Sequence, residues 1–165
     1  MSTPDQESPG VVYVPPGGGH SWWVYGDHDT IKVTSKDTGG TLGASETRIP
    51  PHEGPPLHIH SREDEAFYVL DGDIKVVDND RDFVVGTGSF VFMPRGRVHR
   101  FQNARDIHST ILLLFIPGGF EGYFTEVGEP VVEGQPAPSG PVNFDKVARI
   151  APKYGLEVIH TPSAE

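Results

Sequence analysis

The amino-acid sequence predicts an all-β fold, a sandwich or a barrel, and three observations carry that prediction. Its apolar runs are short, they recur at regular intervals, and turn residues separate them, with 20 glycines and 16 prolines spread along the chain. The turns Asp71-Gly72 and Asp78-Asn79-Asp80 are typical of tight connections between antiparallel strands. Strands this short and this regularly spaced favour a sandwich or barrel over a fold that alternates strands with helices.

The individual elements follow from the same pattern of apolar runs and turns. The predicted strands are Val11–Val14, Trp22–Val24, Ile31–Ser35, Thr41–Ile49, Glu65–Leu70, Ile74–Val77, Asp82–Val85, Ser89–Met93, Val98–Asn103 and Thr110–Ile116. Residues 120–126 have room for one or two helical turns. Residues 143–154 predict a short helix with Asn143 or Asp145 as its N-cap and Gly155 just past its end. Val147 and Ile150 would give that helix an apolar stripe facing the outside of the barrel.

A chain of 165 residues is long enough for one domain with a real core. We expect a disordered leader at residues 1–10, a β-barrel at 11–117, and a C-terminal extension at 118–165 whose short helices pack on the barrel. The simplest role for this extension is bracing, and the alternative is a lid over the mouth of the barrel.

The charge and composition disfavour several classes of partner. The formal net charge is −10 and the pI is about 5.1, so the surface repels nucleic-acid phosphates and anionic lipids. The longest clean apolar run, Ile111–Ile116, is far too short to span a bilayer, and the polar N-terminus lacks the features of a secretion signal. We therefore expect a cytoplasmic protein with no nucleic-acid or membrane partner. The absence of cysteine excludes disulfides and thiolate ligands.

Three of the eight histidines fall into a pattern that suits a metal ion. His58 and His60 are two residues apart, so in a strand their side chains point to the same face. Glu65, five residues later, opens the next strand, and His99 follows a turn that leads into a later one. Imidazole nitrogens with one carboxylate oxygen form a donor set for a divalent transition metal with open positions for substrate. The remaining histidines are interpreted as surface or hydrogen-bonded residues: His20, His28, His52, His108 and His160.

The neighbouring acids leave the identity of the carboxylate ligand open, because Glu63 or Asp64 could replace Glu65 on residue type alone. Arg95 and Arg97 flank the turn before His99; they are interpreted as solvated turn charges, with attraction of an anionic substrate as the alternative.

Two segments resemble the two sequence motifs of the cupin family. Residues 54–72, GPPLHIHSREDEAFYVLDG, resemble the first motif, and residues 88–103, GSFVFMPRGRVHRFQN, resemble the second. The first motif departs in one respect, since Gly54 stands closer than usual to the first histidine. The resemblance implies a double-stranded β-helix (jelly-roll barrel), a homodimer, and one divalent transition metal ion, which could be Fe, Mn, Ni, Co, Cu or Zn. It places that ion on His58, His60, Glu65 and His99, and it gives Asn103 the role of tying turn backbone.

A wider resemblance covers roughly residues 11–160 and points to bacterial single-domain cupins described as quercetin-dioxygenase-like. It rests on the stretches SWWVYGD, REDEAFYVLDG, GSFVFMPRGRVHRF and PGGFEGYF. It implies a metal-dependent dioxygenase that adds O2 to a small, planar, oxygenated organic molecule, with Glu65 taking the proton of a substrate hydroxyl. Two alternatives remain open: a metal-dependent cupin isomerase, cyclase or dehydratase of a biosynthetic pathway, and a small-molecule-binding cupin without catalysis.

Strand alternation also predicts the side chains that line the substrate pocket. Phe67 and Val69 share the face of Glu65, and Phe101 shares the face of His99. Phe92 and Trp22 complete the predicted lining, where a planar aromatic substrate could stack.

Overall fold

A computed structural model describes residues 9–159, whose strands form two antiparallel sheets. The strands are β1 His20–Val24, β2 Asp27–Val33, β3 Gly43–Ile49, β4 His58–His60, β5 Asp64–Asp71, β6 Asp73–Asp78, β7 Asp82–Gly86, β8 Phe90–Met93, β9 His99–Asn103, β10 Ser109–Ile116, β11 Glu129–Pro130 and β12 Leu156–Val158. The helices are α1 Glu121–Val127 and α2 Phe144–Ile150, and a 3₁₀ helix, Ala151–Tyr154, follows α2. The predicted leader lies largely outside the described residues, as does His160.

The two sheets have the topology of a double-stranded β-helix, which confirms the predicted fold class. One sheet has seven strands in the order β11-β1-β2-β3-β10-β5-β8, and the other has five in the order β12-β4-β9-β6-β7. The core lies between them and is built from side chains that alternate inward along each strand. Its fully buried members include Ile49, Phe67, Val69, Ile74, Ile111 and Phe115.

Most of the predicted strands are confirmed within a few residues, and two of the differences matter. The predicted strand Val11–Val14 is wrong: this segment pairs with no strand among the described residues, and Val11 and Tyr13 are exposed. β2 begins at Asp27 instead of Ile31, because its first residues are polar and gave no apolar signal. That extension places two aspartates in the interior.

The C-terminal segment is joined to both sheets. β11 pairs with β1, and β12 pairs with β4, with Leu156 opposite His60. The Asn143 side chain caps α2 by accepting a hydrogen bond from the Lys146 amide, and Val147 and Ile150 are buried, as predicted. The segment therefore forms the edge beside the strand that carries two of the predicted ligands. The division of the chain at residues 117 and 118 stays a prediction.

Asn103 ties together the turns at one end of the barrel, as expected. Its amide nitrogen donates to the carbonyl oxygens of Ile49, Pro50 and Ile107, and its side-chain oxygen accepts from the Ser109 hydroxyl. None of the helices in residues 9–159 combines the length and apolar character needed to cross a membrane.

Candidate metal centre

The four predicted ligands come from both sheets and meet in the barrel interior. His58 and His60 lie on β4, and His99 lies on the neighbouring β9, where it is directly opposite His58. Glu65 lies on β5 in the facing sheet. All four side chains are buried. The site is therefore held by the packing of the two sheets against each other.

The ligand atoms converge on one point. The Nε2 atoms of His58, His60 and His99 lie 3.6, 3.0 and 2.8 Å from Oε2 of Glu65. One ligand atom from each of the four residues lies within 4.8 Å of all the others. Three nitrogens and one oxygen grouped this closely can contact a single ion.

Each imidazole is oriented by a hydrogen bond from its outer nitrogen. Nδ1 of His58 lies 2.7 Å from the Pro56 carbonyl oxygen, and Nδ1 of His99 lies 3.0 Å from that of Arg97. Nδ1 of His60 lies 2.6 Å from Oε1 of Glu63. These partners accept hydrogen bonds, so each Nδ1 carries a hydrogen, and Nε2 is the nitrogen of each ring that a bound ion would use.

The pKa shifts within the group are consistent with a positive charge beside the Glu65 carboxylate. Burial lowers the pKa of His58, with Glu65 opposing that effect. Burial alone would also lower the pKa of His60, but the carboxylates of Glu65 and Glu63 outweigh it and raise that pKa to about 9. Burial would raise the pKa of Glu65, yet His60 and the hydrogen bonds from the three imidazoles hold it well below its ordinary range.

The donor set fits one divalent transition metal ion, since three oriented imidazole lone pairs and one ionised carboxylate face a common centre. With neutral imidazoles and one carboxylate, a divalent ion would keep a net charge of about +1. A donor set of nitrogen and oxygen alone is compatible with several metals, so it does not identify the ion.

The structure also gives each of the three neighbouring acids a different set of contacts. Glu63 is buried and supports His60 from behind, while Asp64 is bound to Arg95 at the surface, with Nη2 to Oδ2 at 3.1 Å. Glu65 is the acid that points to the three Nε2 atoms. Arg97 pairs with Asp78, so both arginines are engaged by surface carboxylates.

A cavity with about 480 Å³ of empty space, counting its open mouth, lies against the candidate centre. His58, His60 and Glu65 form one side of it. Its other lining is mainly apolar and aromatic: Val24, Tyr25, Pro55, Pro56, Phe101, Leu113, Phe115, Phe120, Tyr123, Phe124, Leu156 and Val158. The ring of Phe120 contacts the ring of His60 edge to face, with centroids 4.4 Å apart. Such a lining suits a small planar organic molecule.

Only one of the five predicted pocket residues lies in the lining of this cavity. Phe101 lines the cavity, but Phe67 and Val69 do not, because each step of two residues along β5 leads about 6.7 Å deeper into the core. Trp22 also lies outside the lining, two residues before Val24 on β1, and borders a separate depression. Phe92 is 54% exposed, since its neighbours in β8 take the interior positions. The predicted pocket role is corrected for these four residues.

Two groups of lining residues escaped the sequence prediction. Phe120, Tyr123 and Phe124 recur at helical spacing on and just before α1, and that spacing could have identified them. Asp27 and Asp29 line the cavity together with Thr47, and they were missed because β2 was predicted to begin at Ile31.

Three comparisons with known proteins agree with this architecture. The Cupin domain family matches residues 45–115, which hold all four candidate ligands. Over 153 residues the chain is 27% identical to quercetin 2,3-dioxygenase of Bacillus subtilis (strain 168), an alignment that covers 90% of this chain and 44% of that protein. The chain thus spans less than half the length of this relative.

Two solved structures share the fold. KdgF from Halomonas sp. superposes with a TM-score of 0.59 at 18% identity, covering 68% of this chain and 98% of that one. The polyketide cyclase RemF from Streptomyces resistomycificus superposes with a TM-score of 0.57 at 22% identity, covering 64% and 79%. Fold and site together define a double-stranded β-helix barrel with a buried His/Glu group suited to a metal. The Cupin domain match over residues 45–115, the relation to quercetin 2,3-dioxygenase and the shared fold together support a place in the cupin superfamily.

Proposed function

We propose that this chain is a metal-dependent dioxygenase that acts on a small, planar, oxygenated organic molecule, as a quercetinase does. The observation that carries the proposal is the convergence of three oriented Nε2 atoms and the Glu65 carboxylate beside a cavity lined with aromatic rings. The relation to quercetin 2,3-dioxygenase supports this reaction class. A metal ion bound by His58, His60, Glu65 and His99 would supply Lewis-acid stabilisation of a substrate oxyanion.

The residues of the chain have separate roles in this proposal. Glu65 takes the proton of the substrate hydroxyl on its carboxylate, moving away from the cluster as the substrate oxygen approaches. Glu63 and the carbonyl groups of Pro56 and Arg97 keep the three imidazoles oriented throughout. The ring of Phe120, together with the other aromatic side chains, orients a planar substrate by stacking and limits access of water.

Oxygen consumption by metal-loaded protein tests the proposal. We expect an oxygen electrode to record uptake that depends on added flavonol, with quercetin as the first substrate offered. Glu65→Gln should abolish that uptake, and Asp64→Asn, which alters the neighbouring surface acid, should keep it. Conversion of quercetin under strict anaerobiosis would reject the dioxygenase and favour an isomerase, cyclase or dehydratase. Recovery of unchanged quercetin from metal-loaded protein after long aerobic incubation would support a binding role instead.

Two further properties belong to the same proposal. We expect a homodimer, which sedimentation of the full chain measures directly, and a cytoplasmic location, which fractionation of the native host tests.

A further inference from the structure

Two aspartates line the same cavity as the candidate ligands, and the proposed chemistry does not use them. Asp27 and Asp29 are two residues apart on β2, so their side chains point to the same face. Both line the cavity that also contacts His58 and Glu65, and both are buried, with 4% and 2% of their surface exposed. Aspartate at such depth is rare unless it is paired.

The two aspartates differ in their partners. Oδ1 of Asp29 accepts a hydrogen bond of 2.5 Å from the Thr47 hydroxyl. Oδ1 of Asp27 is buried and has no hydrogen-bond partner among residues 9–159. A polar atom buried without a partner costs roughly 1–3 kcal/mol, so the fold gains nothing from this oxygen. An unpartnered oxygen in the lining of an open cavity is placed to bind a ligand that enters the cavity.

The surroundings favour the neutral, protonated form of this carboxyl. Burial raises the pKa of Asp27 well above its ordinary range, and the nearby acids Asp29 and Glu53 raise it further. Burial also raises the pKa of Asp29, to about 7, although the Thr47 hydroxyl opposes that effect. A carboxyl group that keeps its proton can donate a hydrogen bond as well as accept one.

We propose that Asp27 is a substrate-contacting residue whose side chain donates a hydrogen bond to a second, uncharged oxygen of the substrate in this cavity. This assignment rests on the proposed function, and it adds a substrate class to it. The molecule should carry two separate oxygen functions: a hydroxyl directed to His58, His60, Glu65 and His99, and an uncharged hydroxyl or carbonyl directed to β2. A carboxylate or phosphate at the second position would meet Asp29 and is excluded by charge repulsion.

Binding of two flavonols under strict anaerobiosis tests this, because no substrate is then consumed. The probes are quercetin, which carries further ring hydroxyls, and 3-hydroxyflavone, which has none; their absorbance is followed during titration with metal-loaded protein. We expect the wild type to bind quercetin about tenfold more tightly, the value of one good hydrogen bond. Asp27→Ala should reduce the ratio to about one, and Asp27→Asn, whose amide still donates, should keep most of it. Asp73→Asn, an exposed acid on β6, is the matched control and should keep the ratio unchanged.

Three results would overturn the assignment: a wild-type ratio near one, a ratio unaffected by Asp27→Ala, or an equal loss in the Ala and Asn variants. Infrared spectroscopy gives a readout that needs no substrate. A carbonyl band of a protonated carboxyl, sensitive to deuterium exchange, should be present in the wild type at neutral pH and lost in Asp27→Ala. If metal-loaded wild type binds neither flavonol, the proposed function fails; if it binds both equally well, only the assignment of Asp27 fails.

Discussion

The charged groups on the two sides of the cavity differ in how completely they are hydrogen-bonded. On the β4 and β9 side, each imidazole is bound at its outer nitrogen and its inner nitrogen faces Glu65. On the β2 side, Asp27 has an oxygen without a partner in the described part of the chain, and it lies near a second acid, Asp29. The first side has the donor set for a cation, and the second holds two buried acids whose burial costs stability. A site that binds a cation and an uncharged ligand at once needs both arrangements, and the variants below separate them.

Loss of one imidazole should have the largest effect. His99→Ala removes a ligand and leaves Glu65 facing two imidazoles, so we expect metal affinity to fall by about a thousandfold or more. Elemental analysis of protein purified from its native host should find roughly one transition metal per chain in the wild type and little in the variant. His108→Ala, at an exposed residue outside the cluster, is the control and should keep its metal. Equal metal content in the two variants would contradict the assignment of His99.

The carboxylate behind His60 should have the next largest effect. Glu63→Gln keeps the size of the side chain but removes the charge that orients Nδ1, so metal affinity should fall about 10–100-fold. Asp64→Asn changes the adjacent acid, which binds Arg95 at the surface, and should leave metal affinity nearly unchanged. Competition with a coloured chelator measures both. If Asp64→Asn lowers metal affinity more than Glu63→Gln does, the assignment of Glu63 as the acid that orients His60 is wrong.

The β2 side predicts a distinctive dependence of stability on pH. The pKa of Asp29 is raised to about 7 in the folded state, so between about pH 4 and pH 7 the folded protein binds more protons than the unfolded chain. The free energy of unfolding should therefore fall as the pH rises, by about 2 kcal/mol from pH 5 to pH 7 through this group. Asp29→Asn should remove that part of the fall. Urea unfolding of both proteins at the two pH values measures it, and parallel pH profiles would show that Asp29 carries no raised pKa.

The contrast between the two sides also explains how much the sequence could predict. The candidate ligands were predictable because they occupy strand positions within two motifs, and alternation alone puts His58 and His60 on one face. Alternation also gave the correct inward face for Phe67, but it carries no information about depth, so it could not show that this ring lies below the cavity. Asp27 was missed because a buried acid in a strand breaks the apolar pattern from which strands are predicted.

The same limit applies to elements whose partners are distant in the chain. β12 has only three residues, and it is a strand because it pairs with β4, about a hundred residues earlier. Pairing of this kind depends on tertiary structure, and local propensity gives little sign of it. Val11–Val14 shows the converse: it has strand-forming side chains but no partner strand among residues 9–159.

The smallest expected effect concerns the hydroxyl pair that joins β1 to α1 across the cavity lining. Tyr25, in the turn after β1, is hydrogen-bonded through its hydroxyl to that of Tyr123, which is fully buried. Tyr25→Phe leaves the Tyr123 hydroxyl without this partner, so we expect a loss of about 1 kcal/mol in the free energy of unfolding, or about 2–4 °C in Tm. Tyr13→Phe, at an exposed residue, should leave Tm unchanged. Metal content should be unaffected in both variants, because neither hydroxyl reaches the ligand cluster; a loss of metal in Tyr25→Phe would show that the two sides of the cavity are coupled through α1.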